Sequence, residues 1–443
     1  MRLLTSKWLP SVGWILLAGF SVGAALIGDI YQGAVTIVGH SVLNIRVWQA
    51  LYLVGVIGHV FLLLSFRARP VSAKSIIIPA IAMRMVLLLC VPNSDCNRYA
   101  WEGRIQNLGF SPYLVGPNDP DLEPFRDEIW NGINKKKFTT IYPPLSELEF
   151  RLLSGLHYSK KTPQVAHTLL DVAVLLVLAG LLRRMRRPGW YVAIYALSPL
   201  TLSAFAHAGH NDTLMILPLL GFVAAAGAGR WRLAGAALGL AILAKTTPAI
   251  LLALLVRKSR AGLAIALIIV AAGYLLYGEA GWKLFETLRT FPEDGPFNSL
   301  FDALRLFLNR RFDWRIRSFE RMIIAMSIMG IAAAYRVWRP RDILTDARWL
   351  MALAVLLLPI IHFWYLAWPL ALIALAPRGY VAWIVLAATN VFYWQSEWAG
   401  QVGLPWRLEP WAVCATWIPF FLAWCAETIW VRRKSRGGSA AGK

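Results

Sequence analysis

The stretch Gln164-Val-Ala-His-Thr-Leu-Leu-Asp-Val-Ala-Val-Leu-Leu-Val-Leu-Ala-Gly-Leu-Leu-Arg-Arg-Met-Arg-Arg187 decides the fold. Its apolar run over 164–182 approaches the ~20 residues that an α-helix needs to cross a bilayer. It ends against Arg183, Arg184, Arg186 and Arg187, and a basic cluster closing an apolar span marks the cytosolic side. Windows of the same kind recur at 8–28, 47–66, 75–91, 190–206, 213–228, 261–277, 320–335, 347–363, 364–377, 380–395 and 411–431. Of the 443 residues, 58% are hydrophobic and 16% charged, where a soluble chain carries about a quarter charged. The expected fold class is all-α, a polytopic transmembrane helical bundle of about 12 spans. Residues 1–436 read as one integral membrane domain, and 437–443 as a short disordered tail.

The net charge of +21 raises nucleic acid as a partner, and its distribution argues against one. The clusters Arg67/Arg69/Lys74, Arg230/Arg232, Arg257/Lys258/Arg260, Arg336/Arg339/Arg341 and Arg432/Arg433/Lys434/Arg436 sit in short connections between apolar spans or just after the last one. That is the pattern of cytosolic loops. Loop 92–162 differs, with nine acidic and nine basic residues. Both termini are therefore expected in the cytosol, and loops 92–162 and 278–319 on the far side of a plasma (inner) membrane. Met1–Leu26 has the basic start of a signal peptide, but its apolar run is long for one and reads as the first membrane helix. The four cysteines have no metal spacing. Cys90 and Cys96 are close enough to pair outside the cytosol, and isolated buried thiols are the preferred reading.

Within loop 92–162, Asp119 and Pro120 read as a helix start, and Leu122, Phe125, Ile129 and Ile133 form one apolar stripe. Ser299 with Leu300, Leu304, Phe307 and Leu308 repeats the pattern. Such amphipathic helices either lie on the membrane surface or pack on the bundle. Segment 233–256 is apolar with basic residues at both ends. It reads as a short helical hairpin broken at Lys245-Thr-Thr-Pro248, with Lys245 at the apex.

The chemistry concentrates in Asp95-Cys-Asn-Arg-Tyr-Ala-Trp-Glu-Gly-Arg104, followed by Gly109-Phe-Ser-Pro-Tyr113 and Thr140-Ile-Tyr-Pro-Pro144. Charges packed at the mouth of a membrane helix are costly unless chemistry or charged ligands must be handled there. By residue type alone, Asp95 is either a base or the cap of the helix that follows. Arg98 and Arg104 suit phosphate oxygens or ion pairs with the local carboxylates. Tyr99 and Trp101 read equally as sugar-stacking platforms and interfacial anchors. His207-Ala-Gly-His-Asn-Asp212 brings His207, His210 and Asp212 to the start of the span at 213, where Asp212 also suits a helix cap. A lysine at the apolar apex, Lys245, calls for an anion. Arg84, inside the window 75–91, needs a partner at similar depth, and Asp171 is the candidate. His362-Phe-Trp-Tyr365 reads either as cavity lining or as aromatic belt.

The combined pattern resembles the first extracytoplasmic catalytic loop of the GT-C superfamily, the polytopic glycosyltransferases that use lipid-phosphate sugars, and especially its mannosyltransferase-like members. The resemblance implies that Asp95 is the general base on an acceptor hydroxyl. It also implies that Arg98, Tyr99, Glu102, Arg104, Tyr142, His207, His210, Asp212 and Lys245 serve substrate binding. Relatives often carry Asp where this chain has Glu102, which leaves that residue's role open. The donor implied is a polyprenyl-phosphate sugar, a hexose such as mannose, and the acceptor a lipid or glycan. No cofactor is expected. A divalent metal on His207, His210 and Asp212 is the alternative, weakened by the lack of a second carboxylate pair. The rival functions are another lipid-dependent transferase, such as a polysaccharide ligase or polymerase, and a transporter of lipid-linked substrates. A transporter predicts paired broken helices in two related halves, and the apolar pattern shows no such repeat.

Overall fold

In lipid each backbone N–H and C=O must be satisfied inside its own segment, so apolar windows become helices. The computed structural model describes residues 7–37, 40–290, 296–312 and 314–440, and every window above falls on a helical stretch. Leu9–Ile27, Asn44–Ala68, Lys161–Arg184, Phe319–Trp338 and Pro410–Trp430 are each long and apolar enough to cross a membrane. Two bent helix pairs, 189–207 and 260–285, bring these 5 spans to 7 if each pair counts as one. By this measure the protein is a multi-pass helical membrane protein with fewer full-length spans than the twelve windows. The shortfall has a local cause. Several windows fold as helices of 15 residues or fewer, and Pro79 and Pro218 lie inside two of them, where each removes a backbone donor.

Among the described residues, β structure is confined to a small antiparallel ribbon and one isolated bridge between Phe297 and Ile360. Ala34–Ile37 pairs with His40–Leu43 in the register Ala34 opposite Leu43. It joins the first two long helices, and Asn44 fastens its base by donating from Nδ2 to the carbonyls of Asp29 and Gln32 at 2.7 and 2.8 Å.

The loop 92–162 is a small folded unit built on two helices, Asp95–Asn107 and Pro144–Leu156. They pack so closely that a Cβ on Gly103 would lie 1.9 Å from the Phe150 carbonyl oxygen, so only glycine fits. The start at Asp119 is as expected, its side chain accepting from the Asp121 amide. The stripe does not continue as one helix. Pro124 ends a 3₁₀ turn, Pro120–Phe125, and Asp127 caps a new short helix, Glu128–Asn131. Leu122, Phe125, Ile129 and Ile133 pack on Trp101 and Ile105, so the stripe faces protein.

The break at Lys245 is present: the helix Trp231–Ala244 stops, Lys245 is extended, and a 3₁₀ turn leads into the short helix Leu252–Lys258. Ser299 caps the helix Leu300–Phe312 by accepting from the Asp302 amide. The four cysteines are free, with Cys90 and Cys96 buried. The last helix runs Pro410–Ala440; the final part of the expected tail, 441–443, lies outside the described residues.

Candidate functional site

A cavity of about 770 Å³ lies at the head of the helix Asp95–Asn107. Of the expected residues, Asp95, Arg98, Tyr99, Tyr142 and Lys245 line it, together with His362, Trp364 and Tyr365. The His362 motif is therefore cavity wall. His210 and Asp212 stand one layer behind, while Glu102, Arg104 and His207 do not reach the lining.

Asp95 is the first residue of its helix but makes no capping bond. Its amide donates to Asn93 Oδ1 at 3.0 Å, and its carboxylate is turned elsewhere. Oδ2 lies 3.4 Å from His210 Nδ1, and Oδ1 is 3.4 Å from the Asn134 amide nitrogen. Burial pushes the carboxyl upward, but the His210 contact and the proximity of His362 and Arg98 outweigh it and hold Asp95 at about 2. It is a carboxylate with 18% of its side chain open. Burial also pulls the His210 pKa down, against the pull of Asp95 and Asp212. The imidazole ring thus lies beside the carboxylate with Nδ1 toward Oδ2.

The loop that carries His210 is shaped by Gly209, whose φ is +76° and whose Cβ would lie 2.6 Å from Cys96 Sγ. A left-handed residue with no room for a side chain must be glycine. His167 fixes the same turn: Nδ1 sits 2.7 Å from the Gly209 carbonyl oxygen and Nε2 3.2 Å from Glu149. The His210 ring stacks on Trp364. His210 is thereby clamped against Asp95 from two sides.

Asp212 occupies the N-cap of the helix Thr213–Gly227 without a capping bond. Its Oδ1 accepts from the Trp368 indole at 2.7 Å, and its Oδ2 lies 3.8 Å from Lys245 Nζ. Lys245 reaches past it into the cavity, 14% exposed, with the Tyr142 ring 5.0 Å and the Tyr365 ring 5.9 Å from its ammonium. A buried carboxylate behind it and aromatic faces beside it offset the cost of placing an ammonium at a cavity wall.

Arg98 holds the loop together. It donates to Glu102 Oε1 at 2.8 Å and to the carbonyls of Asn134 and Lys135 at 2.9 and 3.0 Å. Glu102 faces Arg98 on one side and the buried Glu147 on the other. Burial and the Glu102 charge push Glu147 well above the usual carboxylate range, so a proton stays in the pair and Arg98 balances its one negative charge. Thr140 and Gln106 donate to Glu147 at 2.6 and 2.8 Å. The two later sequence motifs meet here as well: Tyr113 donates to the Tyr142 carbonyl at 2.7 Å, and the Thr140 amide to the Pro112 carbonyl at 3.0 Å.

Arg104 points away from the cavity, pairs with Asp127 and covers the Tyr158 ring. His207 is buried against Trp48, ring centroids 4.4 Å apart, with no hydrogen-bond partner on either nitrogen among the described residues. Tyr99 stacks on Phe150 at 4.5 Å and meets Tyr142 and His167 edge-to-face.

A sequence model for glycosyltransferase family 87 matches residues 138–361, half of the chain. The chain belongs to glycosyltransferase family 87. It is accordingly a transferase that moves a sugar from a donor to an acceptor, embedded in a membrane through several apolar helices. No curated protein and no solved structure matches it. The matched region contains Tyr142, His210, Asp212, Lys245 and the residues through Ile361, whereas Asp95 and Arg98 lie before it. The cavity of this family 87 enzyme also draws Tyr31, Tyr393, Glu397 and Trp406 from the two ends of the chain. Sequence reasoning missed them. Glu397, a carboxylate in an otherwise uncharged Asn390–Gln401 segment, was the available signal.

Proposed function

We propose that this enzyme transfers a hexose such as mannose from a polyprenyl-phosphate donor to a lipid or glycan acceptor, at the extracytoplasmic face of the plasma membrane. The observation that carries the reading is that Asp95 and Lys245 face one cavity, a base and a phosphate-sized cation across a shared space.

Sidedness rests on the helix Lys161–Arg184. Lys160, at its start, lines the cavity, and Arg183 and Arg184 stand at its other end. A 24-residue helix is roughly 36 Å long, a full bilayer. With the basic end in the cytosol, the cavity opens outward and both termini stay inside. Nucleotide sugars are cytosolic, which favours a lipid-borne donor. The shorter apolar helices supply the remaining crossings of a bundle with about twelve passes.

In the step itself, Asp95 takes the proton of an acceptor hydroxyl as its oxygen bonds to the anomeric carbon. The bond from that carbon to the phosphate oxygen breaks, and the lipid phosphate leaves with the electron pair beside Lys245. A carboxylate resting near 2 is a weak base, but the bound phosphate adds negative charge and excludes water, and both raise it. Arg98 serves by holding the loop that carries Asn134 against Asp95.

The test gives purified protein radiolabelled mannose as a polyprenyl-phosphate ester or as a nucleotide sugar, with membranes from a strain deleted for the gene supplying the acceptor. Label should pass from the lipid donor alone; transfer from the nucleotide sugar alone would defeat the assignment.

A further inference from the structure

A second space of about 610 Å³ lies between the ribbon strand Ala34–Ile37 and the helix Gln395–Gln401, and it shares Tyr31, Gln32 and Glu397 with the first. Tyr31, Gln32 and Glu397 thus form the partition between the two spaces.

The two ends of the cavity at Asp95 differ in chemistry, and Lys245, Glu397 and Trp406 all line it. At one end stands the ammonium of Lys245 between Tyr142 and Tyr365. At the other stands Glu397, whose Oε1 accepts from the Trp406 indole at 3.2 Å. Trp406 stacks on Phe297, centroids 4.3 Å apart at 13°, and is still 42% exposed. An aromatic wall connects the ends: Phe297 lies 5.5 Å from His362, and His362 stacks on Trp364 at 4.3 Å. His362 Nδ1 is also 3.0 Å from the Tyr393 hydroxyl.

An anionic donor phosphate is attracted to the Lys245 end and repelled by a carboxylate at the Glu397 end, where the neighbouring lining cation Arg407 is paired with Glu409 at 3.0 Å. Neutral hydroxyls have the opposite preference, since a carboxylate is a strong acceptor for several O–H donors. An indole face beside that carboxylate suits the apolar C–H face of a sugar or cyclitol ring.

We propose that the acceptor is a polyhydroxylated head group that docks at the Glu397 end, its hydroxyls donating to the Glu397 carboxylate and one ring face lying on Trp406. The inference rests on glycosyl transfer at Asp95 from a lipid-phosphate donor. It adds which end of the cavity takes which substrate. The acceptor hydroxyl then approaches Asp95 from the Glu397 side while the lipid phosphate departs on the Lys245 side.

The test uses the full-length purified enzyme, a synthetic radiolabelled polyprenyl-phosphate mannose, and as acceptor the lipid and glycan extract of membranes from a strain deleted for the gene. Transfer is titrated separately against donor and against extract. Glu397→Gln and Trp406→Ala should each raise the half-saturating amount of extract about tenfold, with donor half-saturation changed less than twofold. Glu397→Asp and Trp406→Phe, which disturb folding less, should each give a smaller shift in the same direction. Half-saturation by extract within twofold of wild type in all four variants, or an equal rise for donor and extract, overturns the acceptor subsite. Failure of the wild-type enzyme to use the lipid donor instead overturns the reading of transfer beneath it.

Discussion

Arg84 Nε lies 2.7 Å from Asp171 Oδ2, with both side chains fully buried between the helices Ala73–Leu87 and Lys161–Arg184. Tyr195 donates to the other carboxylate oxygen at 2.9 Å, and Arg84 also donates to the carbonyls of Ala80 and Ala196 at 3.0 and 2.9 Å. Removing one partner strands a charge in an apolar core, which costs about 3–5 kcal/mol. Arg84→Met and Asp171→Leu should each lower the thermal unfolding temperature in detergent markedly, while the double variant regains most of the loss. Additive losses in the double variant would mean that the two residues stabilise the bundle separately.

Lys245 should act on the donor alone. Its ammonium faces the cavity while Asp212 balances it from behind. Lys245→Met should raise the donor dissociation constant by about tenfold or more, with a smaller loss of unfolding temperature than Arg84→Met, because Asp212 keeps its Trp368 bond and Lys245 is partly exposed. Lys245→Arg should recover part of the affinity, keeping the charge but changing its shape. Normal donor affinity together with poor folding would make Lys245 a structural partner of Asp212.

The fold could be read from the sequence where physics leaves few choices. An apolar run of bilayer length must be helical, and a charge inside it must find a partner, so Arg84 with Asp171 was legible from depth alone. Asp95 was legible as a charge cluster at a helix mouth. Its freedom from capping was not, because that depends on His210 and Asn134 arriving from distant segments. The same holds for Arg98 and Arg104: both suit phosphate by type, yet one is taken up by loop carbonyls and the other by Asp127. The helix Pro144–Leu156 was missed because its buried face is largely polar, Ser146 and Glu147 with Phe150, while Leu152 and Leu156 are exposed. Glu397 and Trp406 were missed because an aromatic-rich segment near a membrane surface has the composition of an ordinary belt.

Acceptor binding should depend on pH through Glu397. Burial pushes its carboxyl up, the Trp406 indole opposes this and Asp95 adds to it, for a pKa of about 7. Tyr31 and Tyr393 each feel the Glu397 charge, and Asp29 and Arg407 line the same cavity. Because the pKa is raised, Glu397 is neutral below about 7 and a carboxylate above it. The half-saturating amount of acceptor should fall as pH rises from about 6 to 8, by several-fold. Glu397→Gln should flatten that response while remaining weak throughout. A pH response preserved in Glu397→Gln would assign the titration to another group.

The sharpest expectation concerns Asp95, which faces the cavity as a carboxylate and leaves its helix uncapped. Asp95→Asn keeps the size of the side chain and removes its basicity. Turnover should fall by about a hundredfold or more, the scale for losing a general base. Donor affinity should stay within about threefold, because the proposed phosphate contact is Lys245 rather than Asp95. Glu102→Gln provides the contrast. Glu102 lies behind Arg98 and does not reach the cavity, so its loss should act through the loop and lower turnover by about tenfold. Asparagine caps a helix as well as aspartate does. Asp95→Asn protein that turns over within a few-fold of wild type would therefore return Asp95 to a merely structural place at the helix start.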